Sequence, residues 1–379
     1  MDRRDFLKAC GKAGLAVSAG GVLSQALVDK LLAEGEAAGG PPLIHLKGTP
    51  REMGKQYAQE ARDLIKERLK LLREKGSKVV KDSVEMSRIF LNVMANSILQ
   101  EIEAMAESLD EDELDLLTLS AEPPGVGIRT GGCSSFILDK SVAKDDRVWM
   151  GQNVDDAAAL EKFGVVLIRH PLEQPPMITW ALAGGVGGIG MNIHGSAILM
   201  NYVQTAEVKQ QQAIFPEFIA NAALRQKEFK DLVGVLMETQ VMSPVTYLVA
   251  NPAGERMVIE RTPLRYAART PPQKFAAYTN HFVEEKMRGD DTTAKVFPDS
   301  KARLKRLETL LLNKKGVATP DFLKQVLADT EGKPNGICRH AAPPTIASII
   351  LCPKDLLMLA TKGGPDREKY REFVLTMKE

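Results

Sequence analysis

The sequence predicts an α+β chain built on two packed antiparallel sheets with helical layers outside. Three observations lead there. Residues 43 to about 120 carry apolar positions at helical spacing. From Cys133 onward, short apolar runs alternate with charged or Gly/Pro turns, the pattern of strands. The later helices stand grouped between hairpins instead of alternating with single strands, which favours separate sheet and helix layers. With 379 residues, 44% hydrophobic and 26% charged, the chain has an ordinary globular composition and enough length for a large core. A net charge of +1 gives no electrostatic case for nucleic acid or an anionic membrane as partner.

Met1-Asp2-Arg3-Arg4-Asp5-Phe6-Leu7-Lys8 sets a twin arginine ahead of a weakly apolar, Gly/Ala-rich run from Ala13 to Val28, with small residues near Ala33 to Ala38. That is the order of a twin-arginine export signal over residues 1–38; an amphipathic helix of the mature protein is the alternative. The run is too short and Gly-rich for a stable membrane span, which needs about 20 apolar residues. The expected partner is the twin-arginine export machinery, and the expected location periplasmic or extracellular.

Gly39-Gly40-Pro41-Pro42 reads as a linker, followed by a strand at Leu43-Ile44-His45-Leu46. Thr49 is placed to cap the next helix, with Pro50 at its first position and Glu52 three residues after the cap. Helical spacing runs through Tyr57, Ala61, Ile65 and Leu69, then from Val79 through Met105, with a third helix at Asp110 to Leu119 stopped by Pro123-Pro124-Gly125. Strands follow at Ser135–Leu138, Val148–Gln152, Val165–Arg169, Ile178–Leu182 and Ala197–Tyr202. Two helices, about Pro216–Leu224 and Phe229–Gln240, precede strands at Tyr247–Ala250, Met257–Arg261, Leu264–Ala268 and Ala276–Asn280. Helices at Ser300–Leu312 and Pro320–Ala328 and strands at Thr345–Cys352 and Leu356–Ala360 complete the chain.

No C-x-x-C or H-x-x-x-H spacing occurs among the four Cys and five His, so neither a zinc site nor another metal or cofactor is expected. Gly185 to Gly190 satisfies G-x-G-x-x-G but lacks the following helix that dinucleotide binding needs, and reads as a turn or tight sheet contact. Cys338 and Cys352 either pair in an oxidising compartment or stay as buried thiols.

The chemistry centres on Gly132-Cys133-Ser134-Ser135-Phe136, followed by a strand ending in Gly151-Gln152-Asn153-Val154-Asp155. A thiol is a strong nucleophile that needs a group to take its proton. An α-amino group, with a reference pKa of about 7.7 to 8.0, is such a group when Cys133 begins a chain. Gly132 would let the thiol approach the preceding carbonyl in a strained turn, where an N-to-S shift starts cleavage. A buried structural Cys is the alternative. Asp155 stands 22 residues after Cys133 (155 − 133), where a returning strand brings it beside the Cys amine; a turn-capping role is the alternative.

Further motifs are Gly190-Met191-Asn192-Ile193-His194-Gly195 leading to Leu199-Met200-Asn201-Tyr202, then Tyr278-Thr279-Asn280-His281-Phe282, Asp299-Ser300-Lys301-Ala302-Arg303, and Gly336-Ile337-Cys338-Arg339-His340 with Thr345-Ile346-Ala347-Ser348. In this order they resemble the penicillin acyltransferase family of N-terminal-nucleophile hydrolases, of peptidase C45 type. The resemblance implies a four-layer αββα sandwich and self-cleavage between Gly132 and Cys133. Residues 39–132 would become the helical α chain and 133–379 the β chain of an α/β heterodimer. It further implies catalytic roles for Cys133, Asp155, Asn201, Asn280 and Arg303, the two Asn near the acyl carbonyl, where an amide N–H suits an oxyanion. Each Asn serves equally well as a strand-end hydrogen bonder. The chain departs from the pattern at Ala302, a position often held by Ser, which puts a hydroxyl-dependent step in doubt. The implied activity is hydrolysis or transfer at a small N-acyl or peptide-like amide through an acyl-enzyme on Cys133. The alternatives are a non-catalytic ligand-binding member of the fold and a papain-like Cys/His hydrolase using His281 or His340.

Overall fold

The computed structural model describes residues 40–74, 81–121, 131–206, 213–272, 274–312 and 318–377. The expected export segment 1–38, the expected start of the second helical run at Val79 and the expected Pro123-Pro124-Gly125 stop lie outside the described residues. Gly39 to Glu379 forms one compact unit. No described helix is long and apolar enough to cross a membrane.

Strand β1 (Leu43–Gly48) leads into helix α1 (Pro50–Glu60) through the expected capping box. The Glu52 amide donates to Thr49 Oγ1 and the Thr49 amide to Glu52 Oε2, so two helix-end donors are satisfied reciprocally. Helices α2 (Arg62–Glu74), α3 (Lys81–Met94), α4 (Asn96–Leu109) and α5 (Glu113–Ala121) follow. The single run expected from Val79 to Met105 is broken at Ala95, whose backbone leaves helical geometry at φ −150°. Asp110 ends α4 in the left-handed region at φ 55°, a conformation Asp tolerates better than most residues. The glycine and prolines after Gly39 are not a free spacer. Pro41 is buried and accepts from Arg371, and the Val166 amide donates to the Pro42 carbonyl, so residues 40–42 are part of the fold.

The strands divide into an eight-stranded sheet, ordered β1-β4-β5-β6-β7-β8-β9-β10, and a six-stranded sheet, ordered β11-β2-β3-β12-β13-β14. The first holds β4 (Gly164–Pro171), β5 (Met177–Leu182), β6 (Ile189–Asn192), β7 (Ala197–Tyr202), β8 (Val245–Ala250), β9 (Arg256–Arg261) and β10 (Tyr266–Arg269). The second holds β2 (Gly132–Leu138), β3 (Trp149–Asp155), β11 (Phe275–Tyr278), β12 (Thr345–Cys352), β13 (Leu357–Ala360) and β14 (Arg371–Val374). All pairs are antiparallel except β1 with β4. This departs from the all-antiparallel expectation, and the helical run between β1 and β4 supplies the long connection a parallel pair needs. Sequence periodicity also missed β14, a four-residue edge strand with one buried side chain.

The two sheets pack face to face through β2 and β3 against β7 and β8, while α1 and α6 (Pro216–Leu224) cover the outer face of the larger sheet. Helices α8 (Ser300–Leu312) and α9 (Pro320–Leu327) cover the smaller sheet, giving the four layers. Helix α7 (Phe229–Glu238) packs on α6. Strand β2 separates two cores by its period of two. Ile137 joins the inter-sheet core, whereas Phe136 and Leu138 join the core shared with Leu307, Leu311, Leu323 and Leu327 of α8 and α9. The Phe136 ring lies over its cross-strand partner Gly151, where a Cβ would fall 2.4 Å from the ring. Truncating Phe136 would cost about 3–5 kcal/mol of core packing.

Candidate active site

The β2–β3 register fixes which side chains share a face. Gly132 pairs with Asp155, Cys133 with Val154 and Ser134 with Asn153. Cys133, Ser135 and Ile137 therefore face the inter-sheet side, and Ser134 and Asp155 face α8 and α9.

On the inter-sheet side, Cys133 is 5% exposed and its thiol lies 3.8 Å from the Met200 carbonyl on β7. Gln152 donates to the same carbonyl at 2.6 Å and accepts from the Met200 amide, tying β3 to β7 beside the thiol. Cys133 lines a largely apolar cavity with Val154, Trp180, Ile189 and Val245, which also exposes Glu217 and Ser243. Gly187 and Gly188 line it as well. The glycine-rich segment is thus a turn and close contact: Gly187 has φ +74°, and a Cβ on Gly190 would sit 2.0 Å from the Ile178 carbonyl.

On the opposite side is a group of buried charges. Arg303 donates to the Cys133 carbonyl at 2.7 Å, to Ser134 Oγ at 2.9 Å, to Asn280 Oδ1 at 2.7 Å and to Asp299 at 2.6 Å. Asp155 is fully buried; its Oδ1 accepts from Thr345 at 2.7 Å. Arg303 and Arg339 stand 4.0 Å and 3.9 Å from its Oδ2, which accepts no hydrogen bond among the described residues. Arg339 also pairs with Asp299. Burial pushes the Asp155 carboxyl up to about 6, against the pull of Arg303, the Thr345 hydrogen bond and Arg339.

All five expected site residues lie around the start of β2, though of the five Cys133 alone lines the cavity and the other four are buried behind it. The Cys133 amide donates to Asn280 Oδ1 at 3.1 Å, and Asn280 Nδ2 donates to the Tyr202 carbonyl. Asn201 accepts from Ser135 Oγ at 2.6 Å and donates to the Thr279 carbonyl. In the intact chain both amides thus bind strands together, each with one amide hydrogen beyond that bond.

Some expectations need correction. Gly132 does not sit in a strained turn: it is a paired β2 residue and is absent from the positive-φ glycines. Its lack of a Cβ matters because that atom would lie 3.1 Å from Asp155 Oδ2 and 3.2 Å from the Phe297 ring. The papain-like pairing fails on geometry. His281 Nδ1 bonds Ser300 Oγ at 2.8 Å, His340 Nε2 meets Asp366 at 2.8 Å, and neither lines the Cys133 cavity. Ala302 is exposed on α8, so a hydroxyl there would point away from the site; Ser300 is the buried hydroxyl, accepting from the Asn280 amide. Cys338 and Cys352 are both free. Arg339, Asp299, Thr345 and Gln152 were not singled out from sequence, although all four lie within the motifs named above, which was the available signal.

No curated protein matches this chain. Among solved structures, penicillin V acylase from Agrobacterium tumefaciens aligns at 12% identity with a TM-score of 0.41, over 60% of this chain and 82% of that one. A mutant conjugated bile acid hydrolase from Clostridium perfringens aligns at 10% identity with a TM-score of 0.38, over 65% of this chain and 99% of that one. Membership rests instead on the sequence. Residues 142–367 match the family described as acyl-coenzyme A:6-aminopenicillanic acid acyl-transferase, a span that holds Asp155, Asn201, Asn280 and Arg303 and begins after Cys133. The chain belongs to that acyl-transferase family.

Proposed function

We propose that this chain is an exported, self-processing amidohydrolase or acyltransferase whose nucleophile is Cys133 at a newly formed N-terminus. The observation that carries the reading is the open Oδ2 of buried Asp155, beside Gly132, the residue that precedes the bond to be cut. A buried carboxylate oxygen without a hydrogen bond is costly unless a donor arrives. Cleavage at Gly132–Cys133 supplies one, because a secondary amide with a single N–H becomes an ammonium with three.

In processing, Cys133 Sγ attacks the Gly132 carbonyl carbon. The C–N bond breaks, a thioester forms, and the thiol proton passes to the released amine. Water then hydrolyses the thioester, freeing the Gly132 carboxylate and restoring the thiol. In turnover the free α-amine takes the thiol proton and the thiolate attacks the substrate carbonyl. The leaving amine departs with that proton, and the acyl group passes to water or to an acceptor amine. The remaining amide hydrogens of Asn201 and Asn280 are the candidate oxyanion donors. Arg303 fixes the Cys133 carbonyl and Asn280 together and so orients the nucleophile's backbone.

The apolar cavity suits an acyl group, and export through the twin-arginine route favours hydrolysis of an N-acyl or peptide-like amide over transfer from acyl-CoA, which is scarce outside the cytoplasm. The test is to quench the enzyme during turnover of an N-acyl amide and map the adduct by mass. An acyl mass on Cys133 is expected. Continued hydrolysis with the acyl group on another residue, or on none, would overturn the assignment.

A further inference from the structure

Outside the site, three metal-binding side chains meet on two loops. Cys338 and His340 lie in the loop between α9 and β12, and Asp366 lies between β13 and β14. Their ligand atoms are all within 4.8 Å of one another. Cys338 Sγ is 3.0 Å from Asp366 Oδ1, and His340 Nε2 is 2.8 Å from Asp366 Oδ2. We propose that Cys338, His340 and Asp366 form a zinc site that holds this loop in place.

The donor set selects the metal. A thiolate and an imidazole favour a borderline-soft ion over magnesium or calcium, and with one carboxylate they give the two negative charges that neutralise Zn²⁺. Tetrahedral zinc, with bonds of about 2.0 to 2.3 Å, needs donors roughly 3.5 Å apart, so ligand atoms that lie within 4.8 Å of one another would close onto the ion by side-chain movements of up to about 1 Å. Binding takes the proton from the Cys338 thiol to solvent, requires the Nε2 hydrogen of His340 to move to Nδ1, and replaces two hydrogen bonds by three metal–ligand bonds. A Cβ on Gly364 would lie 2.6 Å from Arg367 Nη1, 2.8 Å from Asp366 Oδ1 and 3.2 Å from Cys338 Sγ, so any side chain there would collide with the cluster. The His340 side chain is 34% exposed, which gives an entry path and room for a water as fourth ligand. Arg367, the nearby cation, is engaged by Glu161 and the Thr345 carbonyl.

The loop's chain direction links this cluster to the active site. Cys338 and His340 point to Asp366, while Arg339 between them points the other way, to Asp299 and Asp155. Its amide also donates to Thr345 Oγ1, which in turn donates to Asp155 Oδ1. A metal clamp on 338 and 340 therefore fixes the arginine on which the buried charges depend. The metal site stands without the functional reading above; only its consequence for Asp155 rests on it.

The experiment uses full-length Cys133→Ala, which removes the nucleophilic thiol and makes metal binding independent of processing. Cobalt titration should give one equivalent per chain and a near-ultraviolet thiolate-to-cobalt charge-transfer band, and zinc should displace it. Cys338→Ser should abolish the band. Because Cys338 is buried and that change risks the fold, the exposed His340→Gln is read in parallel; it should weaken cobalt binding by about 10- to 100-fold, with folding checked by circular dichroism. A band that persists in both variants, or no band at excess cobalt, would overturn the site.

Discussion

On the inner face of the β2–β3 hairpin, Cys133, Gln152 and Val154 meet neutral partners and a small apolar cavity. On the outer face, one residue along the strand, Ser134 and Asp155 meet two arginines, a second aspartate and a threonine. The reacting atom and the charges are thus separated by the thickness of a sheet. The charges reach the nucleophile only through its backbone: Arg303 at the Cys133 carbonyl and Asn280 at its amide. Inner-face changes should therefore alter chemistry, and outer-face changes should alter positioning, processing and pH dependence.

The largest test of this division is Arg303→Met. It strips four hydrogen-bonded contacts and leaves Asp155 and Asp299 facing Arg339 alone. Removing one partner of a buried charge group costs about 3–5 kcal/mol, so the midpoint of denaturant unfolding should fall and processing should stop. Arg303→Lys keeps the charge without the fork and should recover only part of both.

Asp155→Asn keeps the shape and removes the charge. Its folded value of about 6 lies above the unfolded value of about 3.9, so its contribution to stability is present below the unfolded value and is lost as pH rises through about 6. Activity runs in the opposite sense, because the carboxylate must be ionised to hold the new ammonium. The ammonium released by cleavage pulls the carboxyl below its value in the uncleaved chain, so the wild-type pH–rate profile should rise on the acid side, below about 6. The Asp155→Asn variant should lose that limb and drop about 100-fold in kcat/KM, with stability little changed. A limb that survives in this variant would assign it to another group.

Gly132→Ala is smaller. The new Cβ presses on Asp155 Oδ2 and Phe297, so the precursor should lose ~1 kcal/mol by thermal unfolding, and cleavage should slow by about tenfold in a time course of fragment appearance. Ala302→Ser should do least, within about 0.5 kcal/mol and with normal cleavage, because that position faces solvent. A large gain in cleavage rate there would mean the hydroxyl matters after all.

The difference between the faces also explains what was legible in the sequence. The Thr49 capping box, the strands and the order of motifs are local features, written in adjacent residues, and they led to four layers and to five candidate residues that the fold gathers around one strand end. Non-local pairing was not legible. The parallel β1–β4 ladder depends on where a long helical run returns. That Asp155 pairs with Gly132 and not with Cys133 depends on the register of the hairpin, which a one-residue slip would reverse. Arg339 and Asp299 carry no spacing signal, since 40 residues separate them and only the packing of α8 against the 338–340 loop brings them together. Gly132 was singled out for backbone freedom, and its reason proved to be steric.

The most direct test of the central claim is intact mass with N-terminal sequencing of the purified protein beside Cys133→Ala. The account predicts two fragments from the wild type, one beginning at Cys133, and a single uncut chain from the variant. A wild-type chain that remains whole while hydrolysing its substrate, or a variant cut at the same bond, would contradict it.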